Sequence, residues 1–235
     1  MRQDNDDESD YIPCKVVLLG ESGVGKTSII TRYVSNSFSP IVMTSTGSSF
    51  VTKKIEINED RKVKLQIWDT AGQEKYRALA KMFYQNASAA ILVYDITTTT
   101  SFQAIKEYWA DEIKNNSPED IVIAVVANKS DEYLRQSVPT EEGKEIAKQL
   151  NAIFANTSAK IGDGIDALFQ TIAEKFVDPS KDISESYMNK EELKQKKNIV
   201  LMQEAKNATI EEKNKNTNTN AKTNKKGKNE KKKCC

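Results

Sequence analysis

The stretch Gly20-Glu21-Ser22-Gly23-Val24-Gly25-Lys26-Thr27 decides the fold of this chain. It lies between an apolar run at 15–19, which we predict to be a buried strand, and a segment at 26–34 with the pattern of a helix. Glycines allow backbone N–H groups to curl around a phosphate, and the start of a helix adds positive potential. The stretch therefore predicts a phosphate-binding loop, in which Lys26 bridges β- and γ-phosphate oxygens and the Thr27 hydroxyl binds Mg²⁺.

Strand and helix patterns alternate along the rest of the chain. We predict further strands at 50–57, 62–68, 89–94, 121–127 and 153–157, and helices at 101–115, 140–150 and 165–176, with Ser101 and Thr140 as N-caps. Strands alternating with helices form a parallel sheet covered on both faces, and the hairpin of the second and third strands adds one antiparallel edge. The predicted fold is α/β, with a doubly wound, mostly parallel six-stranded sheet and one antiparallel edge strand.

Composition divides the chain into three parts. Residues 1–10 form an acidic leader that we predict to be disordered, 11–178 form one globular domain, and 179–235 form a largely disordered tail rich in lysine and asparagine. The chain contains no histidine, which excludes Ser-His triads and most zinc sites. Its three cysteines do not suit a disulfide framework, and the longest apolar run, 121–127, is too short to span a bilayer.

Two polar motifs follow predicted strands at the edge of the sheet where open α/β folds bind ligands. Asn128-Lys129-Ser130-Asp131 follows the most apolar strand, and Ser158-Ala159-Lys160 follows the last one. The Asp131 carboxylate can accept from both the ring N–H and the exocyclic amine of guanine, whereas adenine presents an acceptor in place of that ring donor. The motifs therefore favour a guanine nucleotide over the alternative of a kinase or an adenine-nucleotide ATPase.

The motif Trp68-Asp69-Thr70-Ala71-Gly72-Gln73-Glu74 follows the third predicted strand. Asp69 can hold Mg²⁺ through water, and the Gly72 N–H can approach a γ-phosphate because glycine has no side chain in the way. Gln73 can orient an attacking water because its amide both donates and accepts hydrogen bonds. The motif predicts hydrolysis, with Gln73 and Lys26 as the catalytic residues.

In this order and at these spacings, the four motifs resemble those of the Ras superfamily of small GTPases, which have the P-loop NTPase fold. The Trp68–Glu74 motif and the terminal Cys234-Cys235 resemble the Rab family in particular, over about residues 14–177, and the segments 89–97 and 121–124 resemble its endosomal branch. The resemblance implies a switch that binds GTP or GDP with Mg²⁺, slowly hydrolyses GTP and recruits effectors to regulate vesicle traffic. The alternative is a guanine-nucleotide-binding module with little or no hydrolysis.

The resemblance also assigns site residues. The family carries a Mg²⁺-ligating threonine in its first switch loop, and the corresponding position here is Ser45, with Thr44 or Thr46 as alternatives. The implied metal ligands are Thr27, Ser45 and Asp69, and Phe50, Trp68 and Phe83 match aromatic residues that face effectors. The implied nucleotide-binding residues are Glu21, Ser22, Gly23, Val24, Gly25, Lys26, Thr27, Ser28, Phe38, Ser45, Gly72, Asn128, Lys129, Asp131, Ser158, Ala159 and Lys160.

The end of the chain implies a membrane anchor. Rab proteins that end in two cysteines are geranylgeranylated by a dedicated prenyl transferase, and two lipid chains anchor stably where one is marginal. We therefore expect lipidation of Cys234 and Cys235, on the cytoplasmic face of an endomembrane, most of all the endosome, with cycling through the cytosol. The implied partners of the monomer are an exchange factor, a GTPase-activating protein, a dissociation inhibitor and effectors, and we expect no nucleic acid.

Overall fold

The computed structural model describes residues 10–40, 49–70 and 77–187. Its strands are β1 (Tyr11–Leu19), β2 (Ser49–Asn58), β3 (Arg61–Asp69), β4 (Ala89–Asp95), β5 (Val122–Asn128) and β6 (Ile153–Asn156). They form one sheet in the order β2-β3-β1-β4-β5-β6, in which β2 is antiparallel to β3 and the other pairs are parallel. The predicted fold class is confirmed, and β1 lies inside the sheet, so the phosphate loop leaves from between two neighbouring strands.

The helices of the described residues are α1 (Lys26–Ser35), α2 (Arg77–Tyr84), α3 (Thr99–Ala104), α4 (Ala110–Asn116), α5 (Thr140–Gln149) and α6 (Ile165–Val177). A π-helical turn, Ile105–Trp109, joins α3 directly to α4. Short 3₁₀ helices lie at Ser130–Arg135 and Ser184–Tyr187. Within the described part of the chain, no helix is both long and apolar enough to cross a membrane.

Both predicted N-caps are wrong. Thr98 precedes the first residue of α3, and the Ser101 hydroxyl donates to the Thr98 carbonyl at 2.7 Å and accepts from the Asp95 N–H at 3.1 Å. Pro139 precedes α5, and the Thr140 hydroxyl accepts from the side-chain amide of Gln136 instead of capping the helix. In both places the hydroxyl joins the helix to the preceding segment, which a helix-start pattern does not distinguish from a cap.

Alternate residues of the strands fill two separate hydrophobic cores, one on each face of the sheet. On one face Val16 and Leu18 of β1 pack in the cluster that contains Phe169 of α6. On the other face Val17 of β1 lies in the cluster that contains Trp109 from the turn between α3 and α4. Helices therefore pack on both faces of the sheet, and several of its strands end at the candidate site.

The contacts of the domain continue past residue 178, its predicted limit. Ile183 is buried in the α1 and α6 core, and the Ser186 hydroxyl accepts from the Phe154 N–H at 3.2 Å. The Lys175 ammonium donates to the carbonyls of Pro179 and Lys181, which holds the chain against the end of α6. The predicted leader, apart from Asp10, and the predicted tail from 188 onward lie outside the described residues.

Candidate functional site

The phosphate loop joins the carboxyl end of β1 to the start of α1. Gly20 and Gly25 have φ values of 138° and 98°, which L side chains rarely adopt. A Cβ atom at Gly20 would collide with the carbonyl oxygen of Val93, and one at Gly25 would collide with the side-chain amide of Asn128. These two glycines therefore allow the loop to lie against β4 and β5.

Lys26 is buried beneath this loop, with an exposed fraction of 5%. Its ammonium donates to the carbonyls of Gly20 at 2.8 Å and Glu21 at 3.0 Å, so it holds the loop closed. Burial lowers the pKa of Lys26 to about 8, although the carboxylates of Asp69 and Glu21 oppose that shift. A desolvated cation at the floor of the loop creates a favourable place for a polyanion.

Two oxygen-bearing side chains that could ligate a metal lie together beside Lys26. The Thr27 hydroxyl, in the first turn of α1, donates to the Asp69 carboxylate at 2.6 Å, at the carboxyl end of β3. The next residue, Thr70, donates to the Leu18 carbonyl at 2.6 Å and ties the end of β3 to β1. A hydroxyl and a carboxylate are hard oxygen ligands of the kind that Mg²⁺ prefers, so this donor set fits the expected metal.

Asn128 connects the phosphate loop to the opposite side of the site. Its side-chain amide donates to the Val24 carbonyl at 2.8 Å, and its side-chain oxygen accepts from the Thr157 hydroxyl at 3.1 Å. Asn128 is 1% exposed, at the last residue of β5. The phosphate loop, β5 and the segment after β6 are thus joined through one buried amide.

Asp131 is held by the segment after β6. The Ser158 hydroxyl donates to one carboxylate oxygen at 2.5 Å, and the Lys160 ammonium lies 3.5 Å from the other. This pairing fixes the orientation of the carboxylate while its outer edge lines a cavity. The sequence predicted that the two motifs lie at the same edge of the sheet, and the structure brings them into direct contact.

Lys129 forms an ion pair with Asp95, the last residue of β4. Its backbone has a φ of 63°, and its ammonium lies 2.6 Å from the Asp95 carboxylate. Burial alone would raise the pKa of Asp95, but the bonds from Lys129 and Thr97 outweigh burial and hold the pKa below its usual value. The ion pair therefore fixes the side chain of Lys129, which lines the cavity described next.

These groups surround one cavity of about 410 Å³, a size typical of small-molecule sites. Of the predicted nucleotide-binding set, its lining includes Ser22, Gly23, Gly25, Lys26, Thr27, Ser28, Phe38, Asn128, Lys129, Asp131, Ala159 and Lys160. Ser39, Pro40, Thr70 and Glu132 also line it and were not predicted. Ser45, Gly72, Gln73, Cys234 and Cys235 lie outside the described residues. The cavity therefore extends from the glycine-rich loop after β1 to the two polar motifs that follow β5 and β6.

Three aromatic residues, one each from β2, β3 and α2, form a continuous row. The ring of Trp68 lies 5.0 Å from that of Phe50 and 5.5 Å from that of Phe83, between ring centroids. Phe50 is 48% exposed, which is unusual for a phenylalanine with a core available. The structure brings together the three residues that the sequence predicted to face effectors.

Arg32 is a site-supporting residue that the sequence reasoning missed. From the last turn of α1 its guanidinium donates to the Ala159 carbonyl at 2.8 Å and to the Lys160 carbonyl at 2.7 Å. A third bond, at 3.0 Å, reaches the Asn36 carbonyl beyond the end of the helix. Nothing in the pattern signals this role, because its two key partners lie more than 120 residues away in the chain.

Comparison with known proteins identifies the family. The sequence model of the Ras family matches residues 15–178. The chain belongs to the Ras family. It is 43% identical over 168 residues to Ras-related protein Rab-22A of Homo sapiens, covering 72% of this chain and 84% of that protein. It is also 43% identical to GTP-binding protein ypt5 of Schizosaccharomyces pombe over 162 residues, covering 68% of this chain and 76% of that protein. Ras-related protein Rab-31 of Mus musculus is 43% identical over 161 residues, covering 68% and 82%.

These matches confirm the recognition of a Rab-type member of the Ras superfamily. This Ras-family chain is a small GTPase, a hydrolase acting on GTP, that regulates vesicle traffic.

Proposed function

We propose that the cavity binds GTP and GDP, with the phosphates against the loop at Lys26 and the guanine against Asp131. The observation that carries this proposal is that one cavity is lined both by the buried Lys26 ammonium and by the oriented Asp131 carboxylate. A cation at one end and a paired acceptor at the other match a ligand with phosphates at one end and a donor-bearing base at the other.

At the phosphate end, the backbone N–H groups of residues 21–26 and the N-terminus of α1 cradle the β-phosphate. Lys26 exchanges its two loop carbonyls for phosphate oxygens as acceptors, so its charge becomes stabilised by the ligand. Thr27 and Asp69, together with Ser45, are the residues that would hold Mg²⁺. When bound, the ion neutralises charge on the phosphate oxygens.

At the base end, Asp131 accepts from the ring N–H and the exocyclic amine of guanine. Ser158 donates to one oxygen of this carboxylate and the Lys160 ammonium lies near the other, which fixes its orientation, and each oxygen has a second lone pair with which to accept from guanine. Phe38, which lines the same cavity and is 37% exposed, packs edge-on to the base. Asn128 contributes by holding the phosphate loop at a fixed distance from this end.

In the hydrolysis step, water attacks the γ-phosphorus, the bond to the bridging oxygen breaks with its electron pair remaining on GDP, and phosphate leaves. Gln73 orients the water, and Lys26 stabilises the charge that develops on the phosphate oxygens. We infer that hydrolysis is slow without an arginine from a GTPase-activating protein, and that the γ-phosphate orders two loops at about 37–49 and 69–84. Support for these roles comes from the motif order and from family membership.

A change of base preference from guanine to xanthine, caused by a substitution at Asp131, tests the proposal. In Asp131→Asn, the amide can donate to the C2 carbonyl of xanthine but no longer accepts from both donors of guanine. We expect GDP affinity to fall by about a hundredfold or more and xanthosine diphosphate affinity to rise, since a site built for hydrogen bonds rejects unmatched partners strongly. Equilibrium titration with both nucleotides measures the change.

Glu132→Gln is the matched control, because Glu132 is a neighbouring cavity-lining acid whose carboxylate pairs with Arg135 at 2.7 Å. It should leave the preference for guanine intact. Unchanged GDP affinity in Asp131→Asn, or equal binding of ATP and GTP by the unaltered chain, would show that Asp131 does not read the base.

We propose that the chain acts on the cytoplasmic face of the endosome, anchored through geranylgeranyl groups on Cys234 and Cys235 and cycling with the cytosol. It acts as a monomer without nucleic acid, and an exchange factor, a GTPase-activating protein, a dissociation inhibitor and a prenyl transferase act on it. Effectors bind at the aromatic row of Phe50, Trp68 and Phe83, where the exposed ring of Phe50 is accessible to a partner. Imaging of the tagged chain beside a form with both terminal cysteines replaced by serine tests the anchor, and a membrane pattern that survives the replacement would refute it.

A further inference from the structure

Four lysines of β1, β2 and β3 lie on the same face of the sheet as the aromatic row. We call Lys15, Lys54, Lys62 and Lys64 the lysine face. Strand register places Lys54 opposite Lys64 and places Lys62 opposite Tyr11. The residues that alternate with these lysines on β1 and β3 are buried in the core of the other face. The four ammonium groups therefore share one side of the sheet.

This face carries a clear excess of positive charge. Glu56 is the one acid that these three fully described strands place on it, 3.6 Å from Lys62. Lys54 and Lys62 lie over the ring of Tyr11, at 4.4 and 5.6 Å from its centroid, and Lys15 lies 5.6 Å from the centroid of Trp68. Lys54 and Lys64 lie directly opposite each other on neighbouring strands, so like charges are concentrated at this point of the sheet.

The chain carries complementary charge immediately before β1. Residues 2–10 contain five acids, Asp4, Asp6, Asp7, Glu8 and Asp10, against the single cation Arg2. The leader joins the sheet at Tyr11, the residue that lies beneath two of the lysines. Its point of attachment is therefore on the lysine face itself.

The leader is also long enough to reach all four lysines. Six residues separate Asp10 from Asp4, and an extended chain of that length spans about 20 Å. The distance along β1 from Tyr11 to Lys15 is about 13 Å, and β2 lies about 10 Å from β1 across β3. A short tether of this kind holds its charges at an effective concentration in the millimolar range.

We propose that the acidic leader, residues 4–10, binds back on the lysine face and partly covers the approach to Phe50 and Trp68. Individual exposed ion pairs are weak and are screened by salt, so the contact forms and breaks rapidly and depends on ionic strength. A partner that binds at the aromatic row then has to displace the leader. The contact itself does not rest on the proposed nucleotide site, whereas its regulatory effect rests on the proposed effector surface.

Zero-length carbodiimide cross-linking of the full-length chain, read by mass spectrometry, tests the contact. We expect amide links from leader carboxylates to Lys15, Lys54, Lys62 or Lys64, falling at least about threefold between 0.05 and 0.5 M salt. Lys106, in the π-helical turn, and Lys114, in α4, are exposed lysines that serve as the control acceptors. The Lys144 to Glu141 pair, at 2.8 Å, provides an internal reference link.

Two further samples make the outcome decisive. A leader with Asp4, Asp6, Asp7 and Glu8 changed to Asn and Gln leaves every described residue intact and has no reactive carboxyl group at those four positions. It is the assignment control, in which only links from Asp10 and the reference link should remain. Mixed light and isotope-labelled chains show whether links form within one copy. Links spread evenly onto Lys106 and Lys114, links that join two copies, or links insensitive to salt would each overturn the proposal, and none of these depends on nucleotide binding.

Discussion

Removal of the Arg32 guanidinium should loosen the base-reading end of the cavity without touching the nucleotide. Arg32 is not part of the cavity lining, yet its side chain joins α1 to the carbonyls of Ala159 and Lys160. Those two residues follow Ser158, which orients Asp131. In Arg32→Ala the loop after β6 loses its attachment to α1, so we expect bound GDP to dissociate faster.

The magnitude follows from the two carbonyl bonds. A hydrogen bond from a charged donor contributes about 1.5–3 kcal/mol. The bond to Ala159 is partly buried, whereas the bond to Lys160 is exposed and is therefore worth less. We take a combined effect of about 2 kcal/mol on the bound state. Since 1.4 kcal/mol corresponds to a factor of ten, this predicts GDP release about thirtyfold faster than in the unaltered chain.

Release of a fluorescent GDP analogue into excess unlabelled GDP measures the rate. Arg32→Lys keeps one donor point but not the planar fork, so it should restore part of the effect, to within about fivefold of the original rate. Arg135→Ala is the matched control, because Arg135 is an exposed arginine paired with Glu132. Single-turnover hydrolysis of GTP that is already bound should stay within about twofold, since Arg32 does not reach the phosphate end.

An unchanged release rate in Arg32→Ala would refute the reasoning. So would an equal acceleration in Arg135→Ala, which would mean that any loss of surface charge suffices. A lowered Tm with unchanged release would show that Arg32 supports the domain without positioning the base-reading loop.

Burial raises the pKa of Cys14 to about 12 from 9.0, so the folded chain keeps this proton where the unfolded chain loses it. In a background with Cys234 and Cys235 changed to serine, the thiol should be labelled only as the domain unfolds. Stability should fall by up to about 1.4 kcal/mol per pH unit above pH 9. Chemical unfolding at pH 8 and pH 10 checks this, and a Cys14→Ala variant that loses stability just as steeply would contradict it. Gly143→Ala should destabilise the domain by about 1–3 kcal/mol, although such a change inside a helix normally stabilises, because the added Cβ would collide with the Tyr94 hydroxyl. Urea unfolding measures this, and a more stable Gly143→Ala would show that α5 can move away.

The sheet and the cavity lining were predictable because their signals are local. A glycine-rich stretch between a strand and a helix, or a polar motif after an apolar run, fixes its own backbone and its own place at the sheet edge. Details that depend on distant contacts were not predictable. β1 begins at Tyr11 instead of residue 15, because its pairing with β3 extends from Lys62 to Asp69. Arg32 shows the same limitation, since its function depends on a loop that only the folded chain brings near.

Different segments of the chain form the proposed phosphate end and the proposed base end of the site, and a few hydrogen bonds connect these segments. Asn128 joins the phosphate loop to β5, and Arg32 joins α1 to the loop after β6. Through these bonds, the segments that hold the phosphates and the base share one connected support. A disturbance of either bond should therefore accelerate the release of GDP and of GTP alike, because neither bond reaches the γ-phosphate. Under the proposed roles, we expect the distinction between GDP and GTP to come from Ser45, Gly72 and Gln73. Single substitutions in the two groups should then separate nucleotide affinity from switching.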